Sequence, residues 1–248
     1  MSDSKALIQR FREARRDPRL AVLEGFHPLK HALRFGAEIL DVAVVDPGLF
    51  AELVESLGQD VGPRLRDQYD VVSPDTFAEL SPTPPATGVI ALARRPEPRI
   101  QELLDDAGPA PVVFLERPTN LSNIGAVIRV AAAAGAAGVL TTGTHDPWHP
   151  HALRGAAGLN YAVTVARVDD IPATARPLVA IDPEGERLAP GVLPPRALLA
   201  FGSERQGLSQ ELLARADMRV AIPMRSGISS LNLATAVAVT LYTDDHLA

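Results

Sequence analysis

Three stretches of this chain carry residues whose type and spacing could do chemistry. In NIGAVIRVAAAAG, from Asn123 to Gly135, Arg129 is the single charge in a helical run otherwise made of Ala, Val, Ile and Gly. A guanidinium buried among such neighbours needs a partner, because an unpaired charge is costly away from water; a phosphate or a reacting sugar hydroxyl would serve. The alternative is a surface arginine on the polar face of the helix. In AFGSERQGLS, from Ala200 to Ser209, Gly202 and Gly207 would let the backbone pass close to a ligand, with turn geometry as the competing explanation. Glu204 sits between them, where a carboxylate can fix the loop and lie near a cation. In AIPMRSGISSLNLATA, from Ala221 to Ala236, a strand end offers amides and carbonyls to a ligand edge, and Ser229, Ser230 and Asn232 open a helix. Either serine could be the N-cap, which leaves Asn232, expected inside the first turn despite its indifferent helix propensity, unexplained by capping. Asn123 reads both as the N-cap of its helix and as a site ligand.

Other chemistries lose their signatures. The turn RPTNLSNIGA lacks the G-x-G of a dinucleotide fold, GSERQGLS has Leu208 where a phosphate-binding loop needs Lys, and no G-x-S-x-G elbow appears. The absence of cysteine removes disulfides, thiolate catalysis and cysteine metal sites. HDPWHPH gathers His145, Asp146, His149 and His151, but its two prolines oppose a shared inward geometry, so no metal is expected.

These residues must be positioned by strands and helices that alternate along the chain. From Arg19 to Ala93, LAVLEG, PLKHALRFGA, DVAVVD, LFAELVESLG, YDVVS and GVIALA read as a small α/β unit. Proline and charge from Arg94 to Pro111 end that pattern. Longer strands then alternate with helices, which implies an α/β fold with a parallel sheet, helices on both faces and a ligand crevice at the carboxyl ends of the strands. The expected division is residues 1–98 as a small domain, 99–110 as a linker and 111–248 as the second domain.

The chain has 248 residues and a formal net charge of −6, which opposes a nucleic-acid partner unless positive charge is local. Arg10, Arg12, Arg15, Arg16 and Arg19 could form such a basic patch, or simply the solvated face of a first helix. No stretch is long and apolar enough to span a membrane, and the opening MSDSKALIQRFREARRD is polar where a signal peptide needs an apolar segment, so a cytoplasmic protein is expected.

In chain order, the three segments resemble the signature motifs of the SpoU family, also called TrmH, within the SPOUT class of RNA methyltransferases. The resemblance spans most of the chain: LEGFHPLKHALRFGAEILDVAVV and VVSPDTFAELSPTPPATGVIALA resemble the family's small RNA substrate-binding domain. It implies a trefoil-knot methyltransferase domain working as a homodimer, S-adenosylmethionine as methyl donor with no metal, and transfer to a ribose 2′-hydroxyl. Ribosomal RNA is expected ahead of transfer RNA, and neither DNA nor membrane is an expected partner. A transfer-RNA 2′-O-methyltransferase, a non-catalytic RNA-binding or ribosome-assembly factor, and a nicotinamide-dependent oxidoreductase are the alternatives. By resemblance, Gly202, Ile222 and Leu231 are the main donor contacts and Thr142, Gly143, Phe201 and Met224 line the same pocket, to which Gly207 is added as the second loop glycine. Arg129 is implied as the catalytic group, joined by Asn123, Glu204, Ser230 and Asn232. The high pKa of arginine favours orientation and stabilisation of the incipient alkoxide over base catalysis. Val130 and Arg205 depart from the usual pattern, and Asn120 competes with Asn123 for the asparagine role.

Overall fold

The computed structural model describes residues 2–65, 68–228 and 230–243. In chain order the elements are α1 (Ser2–Ala14), β1 (Leu20–Glu24), α2 (Phe26–Arg34), β2 (Ile39–Val44), α3 (Pro47–Leu57), α4 (Gly62–Leu65), β3 (Asp70–Val71), α5 (Pro74–Leu80), β4 (Val89–Arg94) and α6 (Ile100–Asp105). There follow β5 (Val112–Leu115), α7 (Leu121–Ala133), β6 (Gly138–Thr141), α8 (Pro150–Gly155), a 3₁₀ turn at Leu159–Tyr161, β7 (Thr164–Arg167), β8 (Leu178–Arg187), β9 (Leu198–Phe201), α9 (Gln210–Arg215), β10 (Met218–Ala221) and α10 (Leu233–Thr243). No helix among the described residues is long and apolar enough to cross a membrane. The chain forms two compact units, one of residues 1–97 with 148–162, the other of residues 98–147 with 163–248.

The first unit is built on a mixed sheet in the order β1-β4-β2-β3, in which only β2 and β3 run parallel. Phe11, Val22, Phe77, Ile90 and Leu92 form its core beneath α1 and α5. The excursion Trp148–Ala162 joins this unit: Trp148 meets Tyr161 edge to face at 5.0 Å, and Arg154 reaches the buried carboxylate of Glu24 at 2.6 Å. Glu24 also accepts from Arg15 at 2.7 Å and Ser81 at 2.6 Å, so its buried charge is fully partnered.

The second unit holds a six-stranded sheet, β10-β8-β9-β5-β6-β7, in which every pairing is parallel. Its strands β5, β6 and β9 are buried at every position, as expected when helices cover both faces. The stretch expected to be a linker is folded here: α6 buries Leu103 and Leu104 in the core with Val112, Phe114 and Leu198. Its adjacent leucines were hidden by flanking proline and charge. Arg176, itself buried, secures this corner by donating to the carbonyls of Leu103, Leu104, Asp106, Ala110 and Arg196. Desolvation lowers its pKa from the ordinary arginine value.

Helix α7 buries Ile124, Val127, Ile128 and Ala131, an i, i+3, i+4, i+7 stripe, and packs against α10. Its N-cap is Asn120, whose side chain accepts from the amides of Ser122 and Asn123 at 2.8 and 3.2 Å. Asn123 is therefore not the cap. The closing helix begins later than residue 230: the side chain of Asn232 accepts from the amides of Ala234 and Thr235 at 3.0 and 3.3 Å, so Asn232 precedes the first turn rather than lying inside it. Ser229 and residues 244–248, the other candidate cap and the expected end of this helix, lie outside the described residues.

Candidate active site

The carboxyl ends of β9 and β10 and the middle of β8, at Ile181–Pro183, open onto a cavity of about 340 Å³ in the second unit. Strand β9 delivers Phe201 and Gly202 to it, the segment after β10 delivers Ile222 and Met224, and the approach to α10 delivers Ser230 and Leu231. The loop between β9 and α9 closes on itself: the amides of Ser203 and Gly207 donate reciprocally to each other's carbonyls at 3.2 and 3.0 Å. That closure explains both glycines. A Cβ on Gly202 would stand 1.9 Å from the carbonyl carbon of Gly207, and Gly207 itself adopts φ +65°. Glu204 is lifted on this loop to the edge of the cavity.

A chain of hydrogen bonds then joins the three segments. Asn232 Nδ2 donates to Asn123 Oδ1 at 3.0 Å, and Asn123 Nδ2 donates to Glu204 Oε1 at 2.8 Å. Thr119, from the turn after β5, donates to Glu204 Oε2 through its amide at 3.0 Å and its hydroxyl at 2.7 Å. Partial burial pushes the Glu204 carboxyl upward, but the bonds from Asn123 and Thr119 outweigh it and hold the pKa below the usual glutamate value. The loop is also tied at its far end, where the Ser209 amide donates to Glu116 Oε2 at 2.7 Å.

Of the residues expected at a donor pocket, Phe201, Gly202, Gly207, Ile222, Met224 and Leu231 line this cavity, and Glu204 and Ser230 line it with them. Thr142 and Gly143 do not. Thr142 is buried at the end of β6 with its hydroxyl accepting from the Arg117 amide at 3.0 Å, and Gly143 takes φ +86° against Arg117. Asn123 and Asn232 join through the network, whereas Asn120 is occupied as a cap.

Arg129 departs from the expectation of burial. It lies off the buried stripe of α7, is exposed, and forms no hydrogen bond or ion pair with any described residue. Arg205, on the loop tip lining the cavity, and Arg225, one residue beyond Met224, are likewise exposed and unpaired among the described residues. The N-terminal arginines behave otherwise: Arg10 pairs with Asp41, Arg12 with Glu79, Arg15 with Glu24 and Arg19 with Asp17, leaving only Arg16 of the five without a carboxylate. The expected basic patch is thus largely neutralised within its own unit. In HDPWHPH, His149 caps α8 through Nδ1, and no three His, Asp or Glu side chains among the described residues converge as a metal-binding group.

Sequence reasoning missed Thr119, Glu116 and Asp182. Thr119 and Glu116 lie in the turn after β5, and their proximity to the first motif was the available signal. Asp182 lies within β8, just past Ala180, the last residue paired with β9, beside that same crevice.

The model of the SpoU rRNA Methylase family matches residues 110–242, the span that builds this site. The chain belongs to the SpoU rRNA Methylase family. An uncharacterized tRNA/rRNA methyltransferase of Mycobacterium bovis is 34% identical over 207 residues, covering 77% of this chain and 69% of the relative. A 23S rRNA (uridine(2479)-2′-O)-methyltransferase of Streptomyces viridochromogenes is 31% identical over 201 residues, covering 72% of this chain and 67% of its own. Among solved structures, the AdoMet-bound rRNA methyltransferase of Sinorhizobium meliloti superimposes with a TM-score of 0.72 at 25% identity, covering 98% of this chain and 92% of that one. The SpoU chain described here accordingly has the α/β fold of the SPOUT methyltransferases, with its six-stranded parallel sheet in the second unit and a smaller α/β unit beside it in the sequence.

Proposed function

We propose that the cavity at the ends of β9 and β10 and the middle of β8 binds S-adenosylmethionine and that the chain methylates a ribose 2′-hydroxyl of ribosomal RNA. The observation that carries this reading is the convergence of three distant motif segments on one crevice, locked by the Asn232–Asn123–Glu204–Thr119 chain of hydrogen bonds. The residues fit such a donor. Phe201, Ile222, Met224 and Leu231 offer apolar surface and backbone to an adenine ring, and the carboxylates of Asp182 and Glu204 suit a ligand that carries cationic groups and no phosphate. When bound, the donor supplies an electrophilic methyl group on a sulfonium centre.

The chain's own residues have three tasks. Gly202 and Gly207 shape a loop that admits the ligand against the backbone. The hydrogen-bonded amides and Glu204 hold the three segments in fixed register, which keeps donor and acceptor aligned for in-line displacement. Arg129, free of internal partners, orients the RNA backbone and stabilises negative charge growing on the 2′-oxygen as its proton departs. The products are S-adenosylhomocysteine, a 2′-O-methyl ribose and a proton.

In the same reading the first unit holds the RNA substrate, Thr142 and Gly143 meet the donor's outer portion only on binding, and the protein works in the cytoplasm as a homodimer. The dimer is supported by Ile228, Leu231, Val239 and Tyr242, large apolar side chains left exposed on the closing segment and α10. Isothermal titration with S-adenosylmethionine and with a nicotinamide dinucleotide tests the assignment. Binding of the first alone is expected; binding of the second, or of neither, would overturn it.

A further inference from the structure

Asp182 lines the cavity but takes no part in the amide network. Its side chain is only 15% exposed, and its position is set on one side alone: Oδ1 accepts from Arg219 at 2.6 Å and from the Glu184 amide at 3.0 Å. Oδ2 accepts no hydrogen bond from any described residue. A carboxylate oriented through one oxygen and open through the other is prepared for a ligand that donates hydrogen bonds.

Its place in the sheet narrows the ligand further. Strand β8 lies between β10 and β9, so Asp182 stands between the strand ends that supply Ile222 and Met224 on one side and Phe201 and Gly202 on the other. A nucleoside seated against both ends presents its sugar to the middle strand. Asp182 lies mid-strand, two residues past Ala180, the last β8 residue paired with β9, and an acidic side chain where that pairing opens is well suited to a ribose, whose vicinal hydroxyls donate to it, and it repels phosphate.

We infer that Asp182 holds the ribose of the methyl donor by accepting a hydroxyl hydrogen bond at Oδ2, and that with Glu204 it excludes nucleotides bearing phosphate. This rests on the reading of the cavity as the S-adenosylmethionine site. Arg219 and the Glu184 amide act as positioning groups, since they reach the ligand only through the carboxylate.

The test is calorimetry of S-adenosylhomocysteine, methylthioadenosine and the 2′,3′-dideoxy analogue of methylthioadenosine, with the weakest ligand measured by displacement. The full-length wild type, Asp182→Asn and Arg12→Ala are compared. Asp182→Asn should weaken the first two ligands alike, by about tenfold or more, and leave the dideoxy analogue within about twofold, because variant and analogue delete the same contact. Wild type should already discriminate against the dideoxy analogue by a similar factor, a readout independent of whether the variant folds. Arg12→Ala, which removes an exposed ion pair of the first unit, should change none of the three. Weakening of S-adenosylhomocysteine alone would place Asp182 at the amino-acid portion and overturn the inference; so would equal weakening of all three, or no effect. If wild type binds no adenosyl ligand, the proposed function fails instead.

Discussion

In the first unit, Arg10, Arg12, Arg15 and Arg19 each meet a carboxylate of their own unit, whereas Arg129, Arg205 and Arg225 in the motif segments of the second meet none among the described residues. Local density of arginine would have placed the nucleic-acid contact in the first group. Pairing points to the second. What binds an anionic polymer is positive charge left uncompensated by the fold, and a chain of net charge −6 can leave that charge free in its motif segments while neutralising it elsewhere.

The contrast is broken or sharpened most strongly by paired alanine variants. Arg129→Ala should lower the transfer rate by about a thousandfold while leaving donor affinity within about twofold, and Arg10→Ala should change the rate less than about threefold. Single-turnover kinetics with donor titration separates the two; comparable effects would erase the distinction. Next in size, Gly202→Ala should weaken S-adenosylmethionine by about a hundredfold, since a methyl group 1.9 Å from the Gly207 carbonyl carbon forces the loop out of register. Calorimetry would show it, and retained affinity would mean that the loop does not shape the pocket.

In the first unit the largest effect should be structural. Glu24→Gln removes the charge that holds Arg15 and Arg154, and should destabilise that unit by about 3 kcal/mol in denaturant unfolding with donor binding unchanged. A smaller effect is expected from pH. The Glu204 pKa is lowered on folding, so its stabilising bonds to Asn123 and Thr119 are fully present above the unfolded glutamate value and are lost as pH falls through the lower folded one. Donor affinity should decline over that acidic window, and Glu204→Gln should flatten the decline. Smallest of all, Arg12→Ala removes an exposed ion pair and should cost less than about 1 kcal/mol.

The alternation of strands and helices and the crevice at the strand ends were legible because the buried strands β5, β6 and β9 and helix α7 are strongly apolar and bounded by polar turns. The resemblance of the three segments to the family's motifs implied Gly202, Ile222 and Leu231 as neighbours, and Glu204 stood between the two loop glycines; all four line the cavity. Arg129 was misjudged because α7 is rich in alanine on both faces. Its composition suggested burial, while the stripe Ile124, Val127, Ile128 and Ala131 excludes residue 129. Helix α6 and the excursion Trp148–Ala162 were not legible, since the first is short and flanked by proline and charge and the second is broken by proline and histidine, and what orders them is tertiary: the Leu103 and Leu104 core and the Arg154–Glu24 pair. The asparagine roles were ambiguous for a related reason. Asn120, Asn123 and Asn232 are equivalent as residue types, and only the location of the helix starts assigns two of them to caps and leaves Asn123 bridging to Glu204.

The most direct measurement is transfer of isotopically labelled methyl from S-adenosylmethionine to ribosomal RNA by the purified full-length protein, followed by alkaline hydrolysis. The label should sit in alkali-resistant dinucleotides, where a methylated 2′-oxygen blocks cleavage, and should vanish with Arg129→Ala. Label released in mononucleotides as a methylated base, or undiminished transfer by that variant, would contradict the assignment of reaction and site together.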